Sequence, residues 1–156
     1  MKAVVQRVAE ASVSVDGRQV AAIGPGLLVL VGVGPSDTAV ETDWMARKLA
    51  ALRIFTDEAG LMNRSVADMG GSILLVSQFT LFGDCRKGNR PSFIAAGPPA
   101  LAESRYLELA RALRAMLGEA RVGTGVFGAV MQVRLLNDGP VTLLLETPIS
   151  AARHAP

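Results

Sequence analysis

The chain has 156 residues, half of them apolar and 19% charged, with 16 basic residues against 14 acidic ones. That is about one domain of chain with ample material for a core, which excludes global disorder. A formal charge of only +2 supplies no overall basic field, so affinity for nucleic acid has to come from a local patch.

The first residues, Met1-Lys2-Ala3-Val4-Val5-Gln6-Arg7, carry no long apolar leader, and the uncharged stretch over 20–35 is interrupted by Gly24-Pro25-Gly26. It falls short of the ~20 continuous apolar residues of a membrane helix, so the expectation is a cytoplasmic chain with no membrane partner. A lone cysteine, Cys85, makes no disulfide within the chain and is one ligand where a structural zinc takes four. No metal and no cofactor is expected.

In chain order, residues 3–8 and 12–15 read as strand and Asp16-Gly17 as a hairpin turn. Residues 18–23 return, Gly24-Pro25-Gly26 turns again, and the apolar run over 27–33 suits a strand buried on both faces. Residues 34–37 break the chain and supply a cap for a helix over roughly 38–52, with Val40, Trp44 and Ala51 on its apolar stripe. A short strand at Arg53-Ile54-Phe55 and a turn over 57–60 lead to a central strand over 72–81. Residues 82–97 form a loop carrying Arg86, Lys87 and Arg90. Pro98-Pro99 opens a second helix with a stripe at Ala102, Tyr106, Leu109, Leu113 and Met116, stopped by Gly118. Gly123-Thr124-Gly125 punctuates the chain, and two strands over 131–136 and 141–146 flank a turn at Asn137-Asp138-Gly139-Pro140. The whole predicts one α+β domain over 1–146, a mixed or antiparallel, barrel-like sheet with two main helices, and a loose tail over 147–156. Long apolar strands in so small a domain need a cover, which invites a homodimer.

A nucleophile–histidine pair finds no support, because the single histidine, His154, lies in that tail. Cys85 beside Arg86 and Lys87 reads as an incidental thiol. Gly32-Val33-Gly34 is followed by Pro35 rather than a G-x-x-G continuation, and no G-x-x-x-x-G-K-(S/T) occurs, so neither a dinucleotide fingerprint nor a P-loop is supported. Carboxylates at Asp57, Glu58, Asp68, Asp84 and Asp138 sit in turns, where capping explains them.

Two segments remain. Ser77-Gln78-Phe79-Thr80 puts polar and aromatic side chains at the end of an apolar strand. Asn137-Asp138-Gly139-Pro140-Val141-Thr142 follows a turn signal with a proline that removes a ladder donor. Spacing leaves the Gly139-Pro140 peptide open between cis and trans.

These two motifs resemble the signatures of the D-aminoacyl-tRNA deacylase family. Gln6-Arg7-Val8, residues 26–30, Arg53-Ile54-Phe55, Met62-Asn63, Gly70-Gly71-Ser72, Arg90-Pro91-Ser92-Phe93 and Met131-Gln132-Val133 resemble it in the same order. The resemblance implies a homodimeric hydrolase that cleaves the ester of D-aminoacyl-tRNA, and of glycyl-tRNA mischarged onto tRNA(Ala), at the 3′-terminal aminoacyl-adenosine. It implies that Gly139-Pro140 of one subunit, cis, reaches into the other's pocket beside Ser77, Gln78, Phe79 and Thr80, receives the α-amino group and excludes L side chains. Arg7 would hold that Gly-Pro loop, Phe79 and Met131 would wall the adenosine, and Ala102 would line the pocket. Backbone donors around Phe79 and Thr80 and the substrate's 2′-hydroxyl would assist the chemistry, and Arg86, Lys87 and Arg90 would meet acceptor-stem phosphates. Two competitors are the animal paralogue, which replaces the first motif and tolerates L-alanine, and an RNA acceptor-end binding module without turnover.

Overall fold

The computed structural model describes residues 1–148. Among them the order is β1 (Lys2–Val15), β2 (Arg18–Ile23), β3 (Gly26–Gly32), α1 (Ala39–Ala51), β4 (Phe55–Thr56), β5 (Met62–Arg64), β6 (Ser72–Ser77), α2 (Pro99–Leu117), β7 (Val122–Thr124) and β8 (Gln132–Glu146). β1 and β2 join through Asp16 and Gly17, both at positive φ, as a two-residue turn with Asp-Gly demands. β1 pairs antiparallel with β2, β3 and β8, whereas β6 pairs parallel with β3 and β7.

Alternation along β3 and β6 builds two cores. Leu27, Val29, Ile73 and Leu75 pack with Met45 and Leu49 of α1 and Tyr106, Leu109 and Leu113 of α2. Leu28, Leu74 and Val76 face the other way, toward Val8, Ala11 and Val13. These central strands are apolar on both faces because both are covered. The sheet order β2-β1-β3-β6-β7 curls until its ends meet: a Cβ on Gly123 of β7 would lie 3.3 Å from the Ala21 Cβ of β2. The result is a nearly closed mixed barrel with both helices against one outer face, the expected α+β class.

The largest departure from the sequence reading is at β8. Residues 131–136 and 141–146 are not two arms of a hairpin but one strand, antiparallel to β1 from Ser14↔Gln132 to Lys2↔Glu146. Between Gln6↔Thr142 and Val8↔Asn137, the four residues 138–141 stand opposite Arg7 alone. The chain bulges out and resumes its direction, so Asp138-Gly139 is not the tip of a hairpin. The missed β7 pairs with β6 where Gly123-Thr124 suggested only punctuation. Gly123 belongs there because β2 crowds it.

The helices correct smaller points. Thr38, not 34–37, caps α1, in a reciprocal capping box with Glu41. The buried face runs through Thr42, Met45, Ala46, Leu49 and Ala50, while Val40 is 69% exposed and Ala51 faces solvent. Thr42 tolerates burial because its hydroxyl donates to Thr38 O at 3.1 Å. In α2 the stripe holds from Ala102 to Leu113, but Leu117 rather than Met116 turns inward.

Asp37 does other work: its carboxylate accepts from Gly34 N–H at 2.6 Å and from the Met1 ammonium at 2.7 Å. That ammonium also donates to Thr147 Oγ1 at 2.6 Å, and Thr147 N–H returns a bond to Met1 O at 3.0 Å. Thr147 is therefore buried and tied down where a loose tail was expected. Residues 149–156, His154 among them, lie outside the described residues.

Candidate active site

β6 stops at Ser77, not at Leu81. Gln78 still donates its N–H to Val31 O at 2.7 Å, but its backbone (φ −148, ψ 80) turns the chain out of the sheet into a 3-10 turn over Phe79–Phe82. Phe82 then packs on Gly32 and Gly34, where Cβ atoms would come within 3.1 and 3.3 Å of its ring. Phe79 and Thr80 therefore do not continue the strand expected over 72–81. Phe79 and Thr80 open the turn, so their backbone N–H groups find no acceptor within it.

A pocket of about 480 Å³ opens beside this turn. Val31 of β3 and Val33 just beyond its end, Val76 and Ser77 of β6, Ala102 and Tyr106 of α2 and Met131 and Val133 form its walls, with Gln78 and Phe79 at its edge. Five of the residues singled out from sequence thus meet there: Ser77, Gln78, Phe79, Ala102 and Met131. Thr80 is attached to them through its hydroxyl, which accepts a hydrogen bond from Gln78 Nε2. Phe79 is 58% exposed and meets the edge of Phe93 with ring centroids 5.1 Å apart. Met131 reaches the wall because Gly125 leaves room, since a Cβ there would sit 2.6 Å from its sulfur.

Among the described residues the lining holds no carboxylate, amine, imidazole or thiol. Its one ionisable group is Tyr106, whose hydroxyl donates to Leu75 O at 2.9 Å. Burial pushes that phenol up to about 12, so it stays neutral. Phe127 and the neighbouring Gly128 and Ala129 also line the pocket and were missed in the sequence. The only signal was an aromatic between two glycines just before a strand.

Arg7, Gly139 and Pro140 do not line this pocket. They meet each other at the β8 bulge, where the Gly139–Pro140 peptide is cis and both residues are exposed. Arg7 Nε donates to Asp138 O at 3.1 Å and Nη1 to Ile54 O at 2.7 Å. Gly139 has φ +130, and a Cβ on it would come within 2.8 Å of Val141 N. Only glycine fits that backbone.

The basic loop is less free than it looked. Arg86 forks onto Asp84 at 2.7 and 2.9 Å, which holds the Asp84 carboxyl below its ordinary range. Lys87 and Arg90 are exposed, and Asp84 pairs its backbone with Ser92 to close the loop.

Residues 4–146 match a family model described as D-Tyr-tRNA(Tyr) deacylase. A D-aminoacyl-tRNA deacylase of Myxococcus xanthus (strain DK1622) is 57% identical over 97% of this chain and 98% of its own length. One of Chloroherpeton thalassium is 55% identical over 95% of this chain and 97% of its own. Among solved structures, the c-Myc DNA unwinding element binding protein superposes with a TM-score of 0.91 at 48% identity, covering 96% of this chain and all of the other. A probable eukaryotic D-amino acid tRNA deacylase, 19% identical with a TM-score of 0.80 over 92% of this chain and 97% of its own, shares the fold.

Proposed function

Since the chain belongs to the D-Tyr-tRNA(Tyr) deacylase family, we propose that it hydrolyses the ester of D-aminoacyl-tRNA, releasing the free D-amino acid and the 3′-hydroxyl of the tRNA. The observation that carries this reading is a neutral, apolar pocket with Gln78 and Phe79 at its edge and an adjoining turn whose first N–H groups are free of intraturn partners. Such a pocket offers no side-chain base, and an aminoacyl ester, already activated, needs none. Water adds to the ester carbonyl, the N–H groups of Phe79 and Thr80 receive the developing oxyanion, and the C–O bond to the ribose breaks. Donors of this kind are worth about 2.7–4 kcal/mol each. The ribose 2′-hydroxyl beside the leaving oxygen assists the proton transfer.

Chiral selection in this reading needs a second copy. Gly139 and Pro140 are displayed on a bulge away from their own pocket, while Leu136 and Leu144 of β8 are exposed nearby in sequence. A homodimer covers that strand and brings Gly139-Pro140 of each subunit to the other's Ser77, Gln78, Phe79 and Thr80. Its carbonyls take the substrate's α-amino group and leave no space for an L side chain, so glycine, which has none, passes, and glycyl-tRNA(Ala) is a second substrate. Phe79 and Met131 flank the terminal adenosine, Ala102 lines its pocket, and Lys87 and Arg90 meet acceptor-stem phosphates. Residues 1–146 act as the single domain in this scheme, working in the cytoplasm. Among the described residues no helix is long and apolar enough to cross a membrane.

A paired assay tests it: D-aminoacyl-tRNA and the matched L-ester are incubated with the protein and the remaining ester is measured. Cleavage of D with sparing of L is expected. Consumption of neither rejects the enzyme, and equal consumption of both rejects the chiral selection.

A further inference from the structure

The β8 bulge needs something to close its neck, since four residues, 138–141, face one residue of β1 and the ladder cannot span them. Asn137 sits at that neck, half-buried. Its Nδ2 donates to Arg7 O across the strand pair at 2.9 Å and to Val141 O at the far side of the bulge at 3.1 Å. One nitrogen thus spends both hydrogens on two carbonyls that the interrupted ladder leaves behind. Arg7 supports the bulge from beneath through Asp138 O, with its Nη2 3.1 Å from the place of a Gly139 Cβ.

We propose that Asn137 is a positioning residue for stereoselection: its carboxamide clamps the neck of the bulge and so fixes where Gly139-Pro140 stands in the second subunit's site. The inference rests on the cross-subunit reading above. The chemistry of the clamp is narrow. Aspartate has the same shape but no hydrogens, and would present negative oxygens to two carbonyls. Serine has one donor and a shorter reach. Glutamine carries the right group on a side chain one methylene too long for this neck.

The test compares wild type, N137D, N137S and G139A in the paired assay, with kcat/KM measured separately for D-aminoacyl-tRNA and the matched L-ester. The ratio of the two is independent of the fraction of enzyme that is correctly folded, so a purely structural role for Asn137 leaves it unchanged. For N137D we expect kcat/KM toward the D-ester to fall about tenfold or more, and the D-to-L ratio to shrink by about the same factor, as the site loosens. N137S, which keeps one donor, should lie between, and it decides the matter if N137D does not accumulate as folded protein. A wild-type ratio in the folded variants overturns the role of Asn137. If G139A also keeps the wild-type ratio, the cross-subunit reading itself falls; if G139A collapses the ratio and the Asn137 variants do not, only this inference does.

Discussion

Arg7 and Asp138 are joined twice, for Nε of the arginine lies 3.1 Å from both the carbonyl oxygen and a carboxylate oxygen of Asp138. The same guanidinium reaches Ile54 O through Nη1 at 2.7 Å, so one planar group spans the bulge and the segment that follows α1. Lysine keeps the charge but offers one compact ammonium, and cannot hold both ends. Arg7→Lys should lower kcat/KM for the D-ester about 10–100-fold, with a stability loss of ~1–3 kcal/mol in thermal or urea unfolding. Wild-type turnover by R7K shows that the bulge does not depend on the fork.

Gly26 and Ser72 make a second close approach, where β3 and β6 begin their parallel pairing. A Cβ on Gly26 would stand 1.9 Å from Ser72 O, inside any van der Waals contact. The backbone has to move apart, and the strands that pair there also form both cores. Gly26→Ala should destabilise the protein by at least ~3 kcal/mol. A melting temperature close to wild type would mean that the strand pair yields more easily than its packing indicates.

That glycine shows where the sequence was legible and where it was not. Gly26 read as a turn residue from its neighbours Gly24 and Pro25, because strand contact across 46 residues of chain leaves no local trace. The apolar runs of β3 and β6 were legible because burial on both faces writes itself into composition. At Asn137-Asp138-Gly139-Pro140 local turn chemistry pointed to a reversal, yet Leu135 and Leu143 both pair with β1 on the same edge. The decisive partners, Arg7 and Ile54, lie more than 80 residues away in the chain. Ser77, Gln78 and Phe79 were found by their motif, whereas Phe127 reached the pocket through tertiary packing that no short pattern announces.

Tyr106, the chain's single tyrosine, is 2% exposed and bonded to Leu75 O. Leu75 O also accepts from Gly125 N–H at 3.0 Å, so Tyr106→Phe leaves it one partner and should cost ~1 kcal/mol at neutral pH. The alkaline limb is more diagnostic. With the folded phenol raised to about 12 from ~10 in the unfolded chain, its contribution is whole below pH ~10 and is lost as pH rises through 12. Unfolding curves should therefore show wild type losing on the order of 2–3 kcal/mol more than Y106F across that interval. Ultraviolet titration of the native protein supplies the matching pKa, and an ordinary phenol value there refutes the argument.

Thr80 poses the last chemical question, whether its hydroxyl or its N–H acts. The hydroxyl accepts from Gln78 Nε2, and among the described residues no group lining the pocket is able to take its proton, which leaves a nucleophilic role without a base there. The N–H, at the opening of the Phe79–Phe82 turn, has no acceptor inside the turn. Thr80→Val removes the hydroxyl and keeps the N–H, and should leave kcat within about tenfold of wild type. An amide-to-ester replacement at Thr80 removes the N–H and keeps the hydroxyl, and should lower kcat by about 10²–10³. The reverse pattern, loss with valine and persistence with the ester, makes the hydroxyl the attacking group and predicts a trappable acyl-enzyme in single-turnover reactions. The two variants differ from wild type at opposite ends of the same residue, so the pair separates backbone stabilisation of the oxyanion from covalent catalysis without reference to KM.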